Sequence, residues 1–105
     1  MAKASEVTLN ISAESVPLLP DVLELIEQGM LTRGDKNNRT YVGETVNLGP
    51  GVSSVMRSAL FDPQTAGGLL ISVAADSANA IISEVPGSRI IGTVSGRGNY
   101  LIEVN

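Results

Sequence analysis

The sequence predicts an α+β domain, built as a mixed and partly antiparallel sheet with helices packed on one face. Three observations lead there. A segment of strict two-residue alternation lies near the start, three segments of helical apolar spacing follow it, and two strand-like segments flank a glycine turn at the end. The expected order is strand, helix, loop, helix, strand, helix, hairpin. An antiparallel ending of that kind disfavours a closed βα barrel or a regular parallel array. With 105 residues, 43% of them hydrophobic, the chain can bury one core but not comfortably two, so residues 1–105 are read as a single domain.

From Val7 to Ile11, residues Val7, Leu9 and Ile11 alternate with Thr8 and Asn10, the period of a half-buried strand. Met1 to Ser5 leads straight into it and reads as the tail of a longer helix, too short to nucleate alone. After the Pro17–Pro20 punctuation, Val22, Leu25, Ile26 and Met30 recur at helical spacing, with Asp21 and Glu24 near the favourable end of the dipole and Gly29 as a stop. Thr32 to Gly51 is polar and glycine-rich without a clear period and is expected to be loop. Val52, Val55, Met56, Ala59 and Leu60 mark a second helix, which Pro63 must end by Phe61 or Asp62. Leu69 to Val73 is a nearly continuous apolar run, the signature of a central strand covered on both faces. A third helix, capped by Asp76 or Ser77, carries Ala78, Ile81, Ile82 and Val85 and stops at Pro86 and Gly87. Arg89–Ser95 and Tyr100–Val104 complete a predicted hairpin through Gly96, Arg97, Gly98 and Asn99.

Composition removes several function classes. Only 17% of residues are charged and the mean hydropathy is +0.19, which argues for a folded chain rather than a disordered tail. A net charge of −4, with seven scattered Lys and Arg residues, disfavours nucleic acid as a partner. The absence of Cys and His excludes disulfides, thiolate zinc and an imidazole base, so no catalytic residue and no metal ligand is assigned. Neither a long apolar span nor a signal-like start is present, so a cytoplasmic protein without membrane contact is expected.

The segment richest in chemistry runs from Leu60 to Ile71: a helix end, a polar glycine loop and an apolar run within twelve positions. Paired glycines let backbone N–H groups approach an anion, while Asp62, Gln64 and Thr65 offer acceptors and a hydroxyl for a metal-bound phosphate or water. The same residues also suit a tight connection, with Asp62 in an Asx turn and the glycines supplying positive φ. Residue chemistry alone leaves both open. Asp62, Gln64, Thr65, Gly67 and Gly68 are the candidates for a substrate- or phosphate-facing loop. Arg33, Lys36 and Arg39 read as a solvated loop cluster with Asp35 among them, Asn38 and Tyr41 as residues that order that loop, and Arg97 as an exposed turn residue.

Asp62-Pro63-Gln64-Thr65-Ala66-Gly67-Gly68-Leu69-Leu70 resembles the signature of selenophosphate synthetases, differing only in Ala66, where that family usually has Ser. Val16-Pro17-Leu18-Leu19-Pro20 running into Leu23-Glu24-Leu25 and Glu27-Gln28-Gly29, then Gly34, Asn38 and Tyr41, and finally Ile91-Gly92, agree in order and spacing, so the resemblance covers nearly the whole chain. It implies the C-terminal domain of the aminoimidazole ribonucleotide synthetase-like fold, shortened at its N-terminal side, which closes over an N-terminal domain that dimerises and binds ATP. The parent enzyme it implies makes selenophosphate from selenide, ATP and water with magnesium. The family's reactive Cys or selenocysteine, its Lys and its metal-binding aspartates lie outside the matching region, so none is carried over, and this chain is expected to hold no cofactor and to be inactive alone.

Its expected partners are the missing N-terminal ATP-binding domain and, through apolar surface left uncovered, a second copy of itself by self-association. Two alternatives stand beside this one. The chain can belong to a related synthetase or kinase of the superfamily, such as hydrogenase maturation factor or thiamine monophosphate kinase, or it can be a freestanding binding or dimerisation module. Ala66 removes one hydroxyl, so any role of the family's Ser in holding phosphate or metal does not transfer, whereas a backbone role does.

Overall fold

The alternating segment near the start forms the strand its pattern predicts, and the rest of the sheet assembles on both of its edges. The computed structural model describes residues 1–64 and 66–105. A single helical turn, α1 (Ala2–Ser5), passes through Glu6 in the left-handed region at φ 53° into β1 (Val7–Ile11). Then come α2 (Val22–Glu27), α3 (Arg33–Val42), β2 (Val46–Leu48), α4 (Ser54–Phe61), α5 (Ala75–Glu84), β3 (Gly92–Gly96) and β4 (Ile102–Val104). The strand order is β2-β4-β1-β3, with β1 antiparallel to β3 and parallel to β4, and β2 parallel to β4. This is the α+β, mixed-sheet class expected.

Register explains the core. Leu9 pairs with Ile102 and Ile11 with Val104, while Val46 and Leu48 pair with the same two β4 residues, so alternation puts all six apolar side chains on one face. Ala13, Val52 and Val104 are buried there, with Ile11, Leu48, Ile102 and the α4 residues Met56 and Leu60 packed against them. Helix α4 is thus the one that seals the sheet, and α2 and α3 pack against α4 in turn. Its start is well defined. Ser53 accepts the Met56 N–H at 3.1 Å as an N-cap, and Arg57 reaches back to the carbonyls of Val52 (2.8 Å), Leu48 (3.1 Å) and Gly49 (2.6 Å). That guanidinium ties the exit of β2 to the helix that covers it. The opposite face of the sheet is polar, with Asn47, Glu103, Asn10 and Thr93 in one cross-strand row and Asn10 donating to Ser95 at 3.0 Å.

Three expectations are corrected. The predicted C-terminal hairpin does not form. β3 and β4 pair with opposite edges of β1, because β1 enters between them and the connection from Arg97 to Leu101 passes over its start. Thr8, only 2% exposed, fastens that crossing: its hydroxyl accepts the Gly98 N–H at 2.9 Å and donates to the Tyr100 carbonyl at 2.6 Å. Gly92 permits the close approach on the other edge, since a Cβ there would overlap the Asn10 carbonyl. Glycine and asparagine in a short connection are compatible with a hairpin but do not require one, and a nonlocal partner decides.

Second, the segment expected to be loop from Thr32 to Gly51 holds α3 and β2. The helix has little apolar periodicity to reveal it. Its supports are polar and specific: the Asp35–Arg39 pair one turn apart at 2.6 Å and the Thr40 hydroxyl on the Lys36 carbonyl at 2.9 Å. Third, Leu69–Val73 is not a central strand. Among the described residues it pairs with no strand, and Leu69 (89%), Leu70 (52%) and Ile71 (57%) stand exposed. An apolar run becomes a buried strand only where it pairs with a strand edge under a covering layer; β2 and β3 each have an outer edge, and the run pairs with neither. The helix after it, α5, is capped at Ala74, two or three residues ahead of the expected Asp76 or Ser77. Its Ala78 and Ile81 are half-buried, but Ile82 and Val85 of the same stripe are exposed.

Replacing Thr8 by the isosteric Val deletes the hydroxyl while leaving the Gly98 donor and the Tyr100 acceptor in place. Unfolding in urea should show a loss of about 1–3 kcal/mol; a change within about 0.5 kcal/mol would mean the crossing is held by strand pairing alone.

Candidate functional site

The candidate loop is positioned by the end of α4. Asp62, extended at φ −62° and ψ 128°, closes that helix with its N–H on the Ala59 carbonyl, as the following proline requires. The chain then leaves the core: Asp62, Pro63, Gln64, Ala66, Gly67 and Gly68 are all exposed. Thr65, the remaining candidate, lies outside the described residues. Gln64 folds its side-chain oxygen back over Gly67, where a Cβ would meet it at 2.8 Å, while the position a Cβ would take on Gly68 is open on every side. The segment therefore presents one carboxylate, one amide and backbone on a glycine pair, close to one another and open to solvent.

What holds the loop comes from α3, the helix that polarity concealed. The Thr32 hydroxyl, just before α3, donates to Asp62 Oδ1 at 3.0 Å, and Asn38 Nδ2 donates to the Phe61 carbonyl at 2.8 Å. Gly34 lies so close to Pro63 that a Cβ on it would overlap the proline ring. Arg39 lies 4.7 Å from the centre of the Phe61 ring, is paired with Asp35 and donates to Ser58 Oγ at 3.1 Å. The expectation that Arg39 only solvates a loop is thus corrected: its cationic head braces α3 on α4. Arg33 and Lys36 are exposed. Asn38 orders the region as expected, but Tyr41 does not, standing 91% exposed at the end of α3. Arg97 is exposed beside the Thr8 crossing. Thr32 was missed, and the only sequence signal for it was a hydroxyl residue placed to precede a helix whose periodicity was absent.

No three acidic, His or Cys side chains converge among the described residues. Two open concavities, of about 450 and 690 Å³, lie elsewhere, one between the 3-10 turn at Glu14–Ser15, α5 and Arg89, the other beside Lys3, Glu6 and Arg97. Neither is lined by the loop. No helix among the described residues is long and apolar enough to cross a membrane.

Fold and site together define an α+β, mixed-sheet fold that displays an exposed glycine loop braced at its entry by α3. Comparison with known proteins makes this specific. The chain is 34% identical over 109 residues to a selenide, water dikinase of Clostridioides difficile strain 630, a match covering 99% of the chain and 31% of that protein. It is 37% identical over 101 residues to a selenide, water dikinase of Bdellovibrio bacteriovorus, covering 92% and 29%. A third, from Treponema denticola, is 33% identical over 114 residues and covers 100% and 32%. No family model matches the chain. The chain belongs with the selenide, water dikinases, whose C-terminal part it matches. It spans about a third of the length of these relatives.

Replacing Arg39 by Met keeps the stem and removes the pair to Asp35, the bond to Ser58 and the charge over Phe61. Thermal unfolding should register a loss of about 1–2 kcal/mol. Lys at the same position should recover less than half of it, because an ammonium cannot serve the three partners at once.

Proposed function

We propose that the chain is the cleft-covering C-terminal part of a selenide, water dikinase, a cytoplasmic enzyme that consumes ATP, with magnesium, to make selenophosphate from selenide and water. The observation that carries this reading is the open loop from Asp62 to Gly68, braced at its entry, in a chain 99% of which aligns with about a third of such an enzyme. In it, Gly67 and Gly68 give backbone N–H groups to phosphate oxygens, Asp62 orders a metal-bound water or a hydroxyl, and Gln64 and Thr65 complete the contacts. With Ala at position 66, the backbone carries what a side-chain hydroxyl would otherwise share. One carboxylate already engaged by Thr32 does not amount to a magnesium cage. ATP and its metal are assigned to an N-terminal ATP-binding domain, the partner on which this part closes.

A specific observation favours a second contact. Leu69, Leu70, Ile71 and Val73 form an exposed apolar stretch, broken only by Ser72, directly after the loop, and Ile82 and Val85 of the following helix α5 are exposed as well. This stretch is covered by the N-terminal domain when that domain is present and by a second copy of the chain when it is not.

Two measurements test these readings. The 105-residue chain mixed with the remaining N-terminal part of the Clostridioides difficile relative should restore selenide-dependent ATP consumption, and Asp62→Ala should lower it at least about tenfold, the scale of one lost charge-assisted contact. Selenide-dependent ATP consumption by the chain alone would sink the proposal. Sedimentation of the chain by itself should show association that rises with concentration and disappears in Leu70→Ser; a monomer at high concentration would rule out the apolar contact.

A further inference from the structure

Three contacts made by α3 and its flank converge on the entry to the loop, and none of them serves the core. Thr32 holds the Asp62 side chain, Asn38 holds the carbonyl one residue earlier, and Gly34 lets Pro63 approach the helix backbone. The three helix-side positions fall at one, three and seven residues along the chain from Leu31, so all act from the first two turns of one ten-residue helix. Their targets are consecutive: Phe61, Asp62 and Pro63. A helix that merely filled space would spend apolar side chains on α4, yet α3 has no buried residue.

We infer that Thr32, Gly34 and Asn38 are positioning residues that set the direction in which the Asp62–Gly68 loop leaves α4, and that Thr32 fixes which carboxylate oxygen of Asp62 remains free. The inference rests on the reading above that this loop meets the ligand. Thr32 takes Asp62 Oδ1, so the other oxygen is the one left for a ligand. Asn38 occupies the Phe61 carbonyl, so the last turn of α4 is pinned at the point where the chain departs. Gly34, lacking a Cβ, lets the Pro63 ring seat directly against the helix backbone, a position any other residue there would block. A loop fixed at its entry pays less ordering entropy when it closes on a phosphate, and its carboxylate needs no reorientation.

The test has two readouts. ¹⁵N relaxation on the 105-residue chain should show the order parameters of Gln64, Ala66, Gly67 and Gly68 falling below about 0.6 in Thr32→Ala and Asn38→Ala, with those of β1 and β4 unchanged. Thr32→Ser, which keeps the hydroxyl, should behave as the parent. Unchanged loop values, or an equal fall in the sheet, would overturn the inference. In the enzyme reconstituted with the N-terminal part, Thr32→Ala should lower kcat by roughly tenfold with KM for ATP within about twofold, and Thr32→Ser should restore it. A silent Thr32→Ala beside a damaged Asp62→Ala would also overturn it. A silent Asp62→Ala would instead defeat the ligand-contact reading, while relaxation still decides whether α3 fixes the loop.

Discussion

The structure depends on the insertion of β1 between two strands that are neighbours in sequence. Once β1 occupies that place, β3 and β4 cannot pair with each other, the connection between them must cross the start of β1, and the Thr8 hydroxyl becomes the buried link between strand and crossing. The apolar row of Leu9, Ile11, Ile102, Val104, Val46 and Leu48 follows from that register, and it is the row on which α4 lies. The end of α4 then fixes where the glycine loop starts. A threonine hydroxyl on the far side of the sheet is in this sense the first link of a chain of placements that ends at Asp62.

Polar contacts carry an unusual share of the positioning. The core is built from few and mostly small residues, Ala13, Val52, Ala59 and Val104 among them, and no large side chain among the described residues is fully buried. Area-driven stabilisation is correspondingly limited. What gives the elements defined places is a set of directed bonds: Arg57 on three carbonyls, Thr8 on the crossing, Asn38 and Thr32 on the loop entry. Each is modest in energy, but each has a geometry that apolar packing on a small core does not impose.

How much of this could be read in advance follows from the kind of information each element uses. β1, α2, α4 and α5 announce themselves by period, and the end of α4 by Pro63, because local sterics and one-sided burial write directly into the order of residues. The pairing of β3 and β4 was not legible, since turn chemistry at Gly96–Asn99 is local while the competitor, β1, lies at the other end of the chain. Helix α3 was hidden because its stability comes from Asp35, Arg39 and Asn38 meeting named partners rather than from an apolar stripe. Leu69–Val73 shows the reverse: a strong local signal for a strand that pairs with neither outer edge of the described sheet. The loop residues themselves were legible as a motif, whereas Thr32 and the close approach at Gly34 required the fold, and Tyr41 was misjudged because an aromatic ring in a polar segment need not pack.

The position of β1 also has a temporal side. Both of its neighbours are made from residues 92–104, and the Thr8 bonds join positions 90 and 92 apart. Pairing of β1 therefore waits for β3 and β4, whereas α2 and α3 pack on α4 through contacts nearer in sequence. Nonlocal pairing of this kind forms slowly, so the loop entry that α3 and α4 brace can take shape, in outline, before the sheet that supports it.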